Sequence, residues 1–250
     1  IGSAHVIRCA RILAAAAREA GFDADTAMYE ADIASLSMLL QEYSWDGEAG
    51  YFSYVRHDAE NRPAGILRHP PTGTNFNMGL DGAAPLLAGI CTPAQKAGLW
   101  EKLSSEEHCW TPFGLSTVDQ AAPYFRLDGY WNGSIWMPYQ WFFWKAALDD
   151  GQADFAWRIA ETALGVYEKE CRDSYGCYEQ FSVVSGRGTG WHHFSALSDP
   201  VLCWFGAYFV PGRLTGGLDT RIRNLKPAMT AGPPISKSTA PPVKPALWSP

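Results

Sequence analysis

One acidic residue in this sequence lies in surroundings that suit carbohydrate chemistry. Glu179 stands within residues 175–181 (YGCYEQF), and the glycine-rich residues 185–190 (SGRGTG) follow it closely. Cleavage of a glycosidic bond needs two carboxyl groups, one that donates a proton and one that activates water or attacks carbon. Glycine lets the backbone approach a ligand closely. These flanks make Glu179 a candidate catalytic carboxylate, whereas the opposing interpretation is a solvated surface glutamate.

The aromatic content favours a ligand of the same class. The chain holds 11 Trp, 11 Tyr and 12 Phe residues, and six tryptophans lie near glycine, proline or polar residues: Trp110, Trp131, Trp136, Trp141, Trp144 and Trp191. Flat apolar faces beside convergent polar groups suit a sugar ring. Aromatic side chains also dominate the packing of ordinary cores, so both interpretations stay open for any single ring.

The charge pattern argues against other classes of partner. The net charge is -6, and the clustered Lys and Arg that phosphate binding needs are absent. Neither nucleic acid nor a membrane is therefore an expected partner, and a small saccharide or glycoside fits better. No apolar run approaches the roughly 20 residues that span a bilayer. The six cysteines show no spacing typical of metal ligands, and we expect neither a metal nor a cofactor.

Apolar residues recur at helical spacing through most of the chain. We predict helices at residues 3–20, 25–43, 82–88, 94–103, 134–148, 152–172 and 195–209, joined by alternating short and long loops. In the second helix the predicted buried stripe consists of Ala27, Ala31, Ala34, Leu36, Met38, Leu39 and Leu40. Because no strand alternation is sustained, the predicted fold is all-α with functional loops gathered at one end.

The composition changes abruptly near the C-terminus. After Asn224 the chain is rich in Pro, Ala, Ser, Thr and Lys, with no acidic residue and no apolar periodicity. This composition is typical of a linker or a disordered end. We therefore predict one structured domain over residues 1–223 and a tail over residues 224–250.

Five motifs in register resemble glycoside hydrolase family 63 and its trehalase-like relatives. They are WDGEAGYFSY at 45–54, GLDGAAPLLAGI at 79–90, WTPFGLST at 110–117, YWNGSIW at 130–136 and YEQFSVVSGRGTG at 178–190. The resemblance covers about residues 3–210. It implies an (α/α)6 toroid with its active site in the loops at one end, and an exo-acting, inverting hydrolase of α-glucosides or related α-linked sugars.

The same resemblance implies roles for individual residues. Glu179 takes the position of the general base that holds the attacking water. By the same resemblance Trp131 and Trp136 line the sugar site. We expect further substrate contacts from Tyr130, Asn132, Gly133, Gln140, Trp191 and His192. Two positions depart from the family pattern, because Asn132 stands where Arg is common and Ser134 where Pro is common. Losing a planar cation there changes which sugar or carboxylate the site accepts.

A larger departure concerns the general acid. In the family it is an Asp in a Ser-Gly-Trp-Asp-like loop that precedes the first helix pair of this chain, and residues 1–250 contain no such loop. The chain is therefore expected to be the C-terminal half of the toroid, with the missing N-terminal part of the same protein as its partner. Asp81 is the internal candidate for a second carboxylate, and its alternative role is to cap the following helix.

Two other functions compete with hydrolysis. Toroids of this type also include sugar epimerases, in which His192 or His193 would transfer the proton. A non-catalytic carbohydrate-binding remnant is the third possibility, because the general acid is absent. An epimerase requires the histidine and tolerates loss of the glutamate, whereas a hydrolase requires Glu179.

Overall fold

A computed structural model describes residues 2–220, and its helices begin with a closely packed pair. α1 (Gly2–Ala20) and α2 (Asp23–Tyr43) are joined at Gly21, whose φ of 78° is readily adopted only by glycine. The connection is so short that the two helices pack side by side. The loops that carry the candidate site begin directly after α2.

The remaining helices follow in the predicted order. They are α3 (Leu80–Ala83), α4 (Pro85–Ala88), α5 (Pro93–Ser104), α6 (Met137–Asp149), α7 (Ala153–Ser174), α8 (Ser195–Ser198) and α9 (Pro200–Phe209). Four of them have a proline in the first turn, where the missing N–H costs no hydrogen bond. Five of the seven predicted helices are confirmed with ends shifted by a few residues, whereas the stretches predicted as single helices at 82–88 and 195–209 each form two short helices.

Short antiparallel hairpins lie in the loops between helices. The described residues form four of them: β1 (Trp45–Asp46) with β2 (Tyr51–Phe52), β3 (Val55–His57) with β4 (Pro63–Ile66), β5 (Trp110–Thr111) with β6 (Gly114–Leu115), and β7 (Gln180–Phe181) with β8 (Gly188–Thr189). None of these strands is long enough to form a layer of its own. The helices form the core of the domain, and the hairpins lie within the loops that connect them.

The core lies between successive helix pairs. α4 packs against α1 on one side and α6 on the other, and α6 continues the row to α7, α8 and α9. The largest fully buried side chains are aromatic: Trp136, Trp144, Trp204, Tyr51, Phe52, Phe143 and Phe181. Aromatic residues bury more apolar area than any other type, so much of the aromatic content serves packing.

The predicted buried stripe of α2 is wrong. No residue of α2 is buried, and Ala27, Ala31 and Ala34 are exposed together with Met38 and Leu39. Leu36 and Leu40 alone of that set are half-buried, and they pack against the core. The physical reason is that the described part of the chain packs on only one side of α2. The tail predicted for residues 224–250 lies outside the described residues.

Candidate active site

Backbone hydrogen bonds between loops bring distant segments side by side. The Leu80 N–H donates to the Thr117 carbonyl over 3.0 Å, and the Thr117 N–H donates to the Ser134 carbonyl over 3.3 Å. Ile135 and Phe181 exchange two N–H···O bonds of 2.9 Å each. Residues 79–81, the 130–136 motif and the β7–β8 hairpin therefore lie next to one another, although the sequence separates them widely.

Glu179 is held at the open end of the β7–β8 hairpin. Its N–H donates to the Trp191 carbonyl over 2.9 Å, and the Trp191 N–H donates to Glu179 Oε2 over 3.2 Å. The Tyr130 hydroxyl donates to the other carboxylate oxygen, Oε1. Gly190 has a φ of 75°, and a Cβ there would lie 2.7 Å from Oε2. The half-buried carboxylate thus has a donor on each oxygen and little room to turn.

A buried acid fixes this hairpin to α7. Glu170 Oε2 accepts from Arg187 Nε and from the Gly188 N–H, each over 2.8 Å, and Oε1 accepts from the Ser174 hydroxyl over 2.7 Å. Burial opposes the charge, but these hydrogen bonds and the Arg187 guanidinium outweigh it and hold the pKa of Glu170 below its usual value. Sequence reasoning missed this residue. The signal was an acid four residues after the buried Val166, on the apolar face of α7.

Four rings form what we call the aromatic wall: Tyr130, Trp131, Trp136 and Tyr139. Trp131 stacks on Trp136 with ring centroids 3.6 Å apart and planes within 8°. Trp136 is buried, whereas Trp131 is 50% exposed. The Tyr130 and Tyr139 rings each make a T-shaped contact with the Trp131 ring, with centroids 5.7 and 5.9 Å away. Trp131 therefore offers an exposed flat surface that Trp136 supports from below.

The two residues after Trp131 shape the backbone of the motif. A Cβ at Gly133 would lie 1.9 Å from the Arg126 carbonyl oxygen, so only glycine fits there. The Asn132 carbonyl accepts from the Arg126 N–H over 2.9 Å, and the Asn132 amide donates to the Tyr124 carbonyl over 3.3 Å. Asn132 also lines a cavity of ≈ 350 Å³ beside Trp131. Gly133 thus supports the loop, while Asn132 and Trp131 line the cavity.

Asp81 lines the same cavity. Its carboxylate accepts from the Tyr54 hydroxyl over 2.5 Å and from the Tyr139 hydroxyl over 3.2 Å. Burial, with a further contribution from Asp81 itself, raises the pKa of both phenols, so they remain protonated donors. Asp81 does not cap α3, because Gly79 occupies the N-cap and no side chain bonds there. The capping interpretation is therefore wrong.

The aromatic wall connects the two carboxylates. Asp81 bonds Tyr139, Tyr139 packs on Trp131, Trp131 packs on Tyr130, and Tyr130 bonds Glu179. The described contacts therefore join two acids, four aromatic rings and a cavity into one continuous surface. Such an arrangement can bind a sugar ring flat against Trp131 and present carboxylates to its hydroxyls and anomeric carbon.

Of the eight predicted substrate-binding residues, only Trp131 and Asn132 line this cavity, and the other six do not: Tyr130, Gly133, Trp136, Gln140, Trp191 and His192. Gln140 is fully buried, and its amide exchanges hydrogen bonds of 2.9 and 2.8 Å with the Leu115 backbone, so it fastens a hairpin to α6 and does not line the cavity. Trp191 is exposed beside Glu179. The His192 ring is exposed and contacts the rings of Trp191 and His193. Trp191 therefore belongs to the candidate site through its contact with Glu179, whereas Gln140 and His192 neither line the cavity nor bond to Glu179.

Residues 2–220 contain no cluster of three or more His, Cys, Asp or Glu side chains that could hold a metal ion. The six cysteines are free thiols. None of the helices described is both long and apolar enough to cross a bilayer.

Comparisons with known proteins point to one family. Residues 3–195 match the model of the mannosylglycerate hydrolase MGH1-like glycoside hydrolase domain. The mannosylglycerate hydrolase of Thermus thermophilus is 28% identical over 207 residues, which are 74% of this chain and 45% of that protein. The mannosyl-oligosaccharide glucosidase of Saccharomyces cerevisiae is 26% identical over 121 residues, or 42% of this chain and 14% of that protein.

Solved structures show the same relationship. A GH63 mannosylglycerate hydrolase from Thermus thermophilus, in complex with Tris and D-glycerate, superposes with a TM-score of 0.64 at 25% identity, over 81% of this chain and 44% of that one. The neutral trehalase Nth1 of Saccharomyces cerevisiae shares the fold at 19% identity and a TM-score of 0.51, over 72% of this chain and 30% of that one. The predicted (α/α)6 toroid is confirmed, and the chain spans less than half of each of these relatives.

Proposed function

Because the chain belongs to the family of MGH1-like glycoside hydrolase domains, we propose that it supplies the general base of a glycosidase. The reaction is hydrolysis of an α-linked glucoside or related sugar, exo-acting and with inversion at the anomeric carbon. Glu179 is the base. The general acid is an Asp in the half of the toroid that lies outside this chain.

The observation that supports this proposal is the pair of hydrogen bonds that orient the Glu179 carboxylate. Tyr130 donates to one oxygen and the Trp191 N–H to the other, while each carboxylate oxygen has a second lone-pair site that can accept a proton from water. A water bound there points its own lone pair away from Glu179, toward the anomeric carbon. As the water attacks, its proton moves to Glu179, and the bond to the leaving oxygen breaks on the opposite face of the sugar while that oxygen takes a proton from the general acid.

Tyr130 supports the base throughout the neutral pH range. Its hydrogen bond to Glu179 raises the pKa of the Tyr130 phenol above the usual value, so the hydroxyl stays protonated and keeps donating. The Trp191 N–H is part of the backbone and cannot rotate away. Together the two donors hold the carboxylate in one orientation before the substrate arrives, which lowers the cost of ordering it in the transition state.

The sugar lies, in this proposal, on the exposed face of Trp131, with Asn132 and Asp81 lining the cavity beside it. Both oxygens of Asp81 already accept from phenols, an arrangement that suits orientation of a ligand hydroxyl better than donation of a proton. Two relatives bear the name mannosylglycerate hydrolase, and mannosylglycerate is therefore the first substrate to test, followed by α-glucosides.

The substitution Glu179→Gln tests the assignment of the base. In the complete protein that contains this chain, we expect kcat to fall by about 10³-fold, within the range for loss of a general base, with little change in KM. Gln has nearly the same shape as Glu, so the substitution removes the base without opening a hole. Proton NMR of the first product formed by the unsubstituted enzyme should show the anomer opposite to that of the substrate.

His192→Ala is the matched control, because His192 is exposed on the same loop. We expect it to keep most of the activity. An enzyme that survives Glu179→Gln but loses all turnover with His192→Ala would be an epimerase, and the proposal would be rejected. Binding of the saccharide by the complete protein without any release of product would identify a non-catalytic lectin-like domain.

A further inference from the structure

Two free thiols lie at the two ends of the loop that leads from α7 to Glu179. Cys171 is in the last turn of α7, and Cys177 precedes Glu179 by two residues. Both thiols are partly buried. Between them Tyr175 has a φ of 57°, a left-handed conformation that is uncommon for residues other than glycine and that ends the helix and turns the chain. We call Cys171 and Cys177 the thiol pair.

One phenol and one peptide group lie against both members of the thiol pair. The Tyr167 hydroxyl forms a hydrogen bond of 3.1 Å with Cys177 Sγ, and it interacts with the Cys171 thiol as well. Cys171 Sγ is 3.9 Å from the carbonyl oxygen of Gly176, the residue that precedes Cys177. Tyr167 lies one helical turn before Cys171, so the phenol and both thiols meet at the same end of α7. Two thiols that share both neighbours lie within reach of each other.

The backbone of Cys177 belongs to the set of hydrogen bonds that holds Glu179. The Cys177 N–H donates to the His192 carbonyl over 3.2 Å, and the Phe194 N–H donates to the Cys177 carbonyl over 2.7 Å. Two residues further on, the Glu179 N–H donates to the Trp191 carbonyl over 2.9 Å. A displacement of Cys177 therefore loosens the backbone pairing that also orients the Glu179 carboxylate.

Of the two thiols, that of Cys177 has more freedom to move. Cys171 is part of α7, where its carbonyl accepts from the Tyr175 N–H over 3.0 Å, and α7 packs against α6 and α9. Cys177 lies in the loop. The sulfur atoms of a disulfide are about 2.05 Å apart, so Cys177 Sγ must leave the Tyr167 hydroxyl to bond with Cys171. The strain of closing a disulfide therefore falls on the loop before Glu179.

We propose that the thiol pair is a reversible redox site, and that its disulfide lowers turnover by displacing the loop before Glu179. The oxidant is a low-molecular-weight disulfide of the glutathione class. The effect on turnover rests on the function proposed for Glu179, whereas formation of the disulfide does not.

The disulfide forms by two successive exchange steps. One protein thiol loses its proton to solvent, and its thiolate attacks a sulfur of oxidised glutathione, so that a mixed disulfide forms and one glutathione thiolate leaves. The second protein thiol then loses its proton and displaces the remaining glutathione. Two protein thiols are oxidised to one disulfide, and one glutathione disulfide is reduced to two thiols. Excess thiol drives the same steps backwards.

Tyr167 stabilises the reduced form. Burial and its hydrogen bonds with Cys177 and Cys171 raise the pKa of the Tyr167 phenol, so the hydroxyl stays protonated and can donate to sulfur throughout the neutral pH range. Closure of the disulfide removes Cys177 Sγ from this hydroxyl. Tyr167 therefore shifts the equilibrium toward the two thiols.

Oxidation of the complete protein that contains this chain tests the proposal. The protein is incubated with oxidised glutathione at about pH 8.5, where a free thiol is partly ionised. Non-reducing mass spectrometry should show that the peptide with both cysteines becomes lighter by two hydrogen atoms. We expect kcat to fall at least about tenfold, because a small displacement of a catalytic group is costly, and excess dithiothreitol to restore it. A stable glutathione adduct without a disulfide, or a disulfide with unchanged kcat, would overturn the proposal.

Serine variants assign the effect to the thiol pair. Cys171→Ser should keep its kcat in oxidised glutathione, because one member of the pair is gone. Cys203→Ser is the matched control: it removes a free, exposed thiol on α9, leaves the pair intact and should stay as sensitive as the unsubstituted protein. Inactivation of Cys171→Ser by oxidised glutathione would place the effect at another thiol and contradict the proposal. If Cys171→Ser does not fold, Cys177→Ser answers the same question and keeps a hydroxyl as the partner of Tyr167.

Tyr167→Phe tests the phenol between the two thiols. At a fixed ratio of oxidised to reduced glutathione, we expect the ratio of disulfide to dithiol protein to rise by roughly threefold, because only the reduced form loses a hydrogen bond. Tyr175→Phe removes an exposed hydroxyl from the same loop and should leave this ratio unchanged. A lower ratio in Tyr167→Phe would contradict the arrangement proposed for the thiol pair.

Hydrogen exchange separates this proposal from that for the catalytic base. We expect the amides of Glu179 and Trp191 to exchange faster in the oxidised protein, because their segments are less firmly paired, and Glu179→Gln should form the same disulfide. If Glu179→Gln remains active while the disulfide and the faster exchange are observed, the assignment of the base fails and the redox site stands. If Glu179→Gln is inactive and neither change is observed on oxidation, the redox site alone fails.

Discussion

The two carboxylates of the candidate site are held in different ways. Glu179 accepts from a backbone N–H and from one phenol, on a hairpin that a buried acid fixes to α7. Asp81 lies in the first turn of the four-residue α3, and the donors to it within residues 2–220 are two phenols. Backbone donors have a fixed direction, whereas phenol hydroxyls rotate. The backbone therefore helps to fix the orientation of Glu179, whereas Asp81 is oriented by phenol hydroxyls that can rotate to bind a ligand instead.

This difference suits a division of labour. A general base must stand at hydrogen-bond distance from one water and in line with one carbon, and small displacements cost rate. A residue that binds sugar hydroxyls can do so more readily when its protein donors can release their hydrogen bonds as the ligand binds. The predictions below test whether the hairpin is the fixed side of the site and the Asp81 side the adaptable one.

The largest effect is expected from Glu170→Gln, which removes the charge that fixes the hairpin. We expect the free energy of unfolding at pH 7 to fall by about 3 kcal/mol, because Glu170 is buried and its hydrogen bonds to Arg187 and Gly188 depend on that charge. Urea denaturation of the complete protein measures the loss. The matched control is Glu168→Gln, whose exposed i,i+4 pair with Arg172 should contribute less than about 1 kcal/mol.

The pH dependence of this variant follows from the lowered pKa of Glu170. A carboxyl group whose folded pKa is below its usual 4.5 stabilises the protein above pH 4.5, and this contribution disappears as the pH falls through the folded value. The difference in unfolding free energy between the two proteins should therefore shrink below pH 4.5. A difference that is constant from pH 7 to pH 3 would show that Glu170 is not ionised in the fold.

A smaller effect is expected from Tyr130→Phe, which removes one of the two donors to Glu179. We expect kcat to fall by roughly 30-fold if this hydrogen bond to a charged group is needed in the transition state. KM should change little, because the Trp131 platform remains. Tyr175→Phe is the control, since the Tyr175 side chain is 90% exposed. Unchanged kcat in Tyr130→Phe would mean that the backbone alone orients the base.

The parts of this arrangement that sequence could reveal are the local ones. Periodicity located the helices, because burial of a helical face leaves a repeat of three to four residues. The flanks of Glu179 marked it as unusual. The contact between Tyr130 and Glu179 could not be predicted, because it depends on the backbone bridge between Ile135 and Phe181, and backbone hydrogen bonds carry no side-chain signature.

The errors have equally specific causes. Gln140 is predicted as a polar contact to the substrate, but the oxygen and the nitrogen of its side-chain amide are both hydrogen-bonded to the buried Leu115 backbone. Glu170 went unnoticed because its partners, Arg187 and Gly188, are distant in sequence. The stripe predicted as buried in α2 is wrong because the described part of the chain packs on only one side of that helix.

The smallest effect is expected from Asp81→Asn, and it separates the two sides of the site most clearly. Asn keeps one acceptor for the phenols of Tyr54 and Tyr139 but loses the charge, so the cost should be about 1 kcal/mol, or roughly fivefold. We expect this cost in KM and not in kcat, because Asp81 orients a ligand in our proposal. Steady-state kinetics on the complete protein with mannosylglycerate and an α-glucoside measure both constants.

Tyr54→Phe sharpens the interpretation of that result. If Asp81 acts through its hydrogen-bond partners, the free-energy cost in KM of the double variant Asp81→Asn/Tyr54→Phe should be smaller than the sum of the costs of the two single variants. The reason is that substitutions within one hydrogen-bond network are not additive. A fall in kcat as large as that of Glu179→Gln would have a different meaning. Asp81 would then be the second catalytic carboxylate, the general acid would lie within this chain, and the aromatic wall between Asp81 and Glu179 would mark the position of the bond that is cleaved.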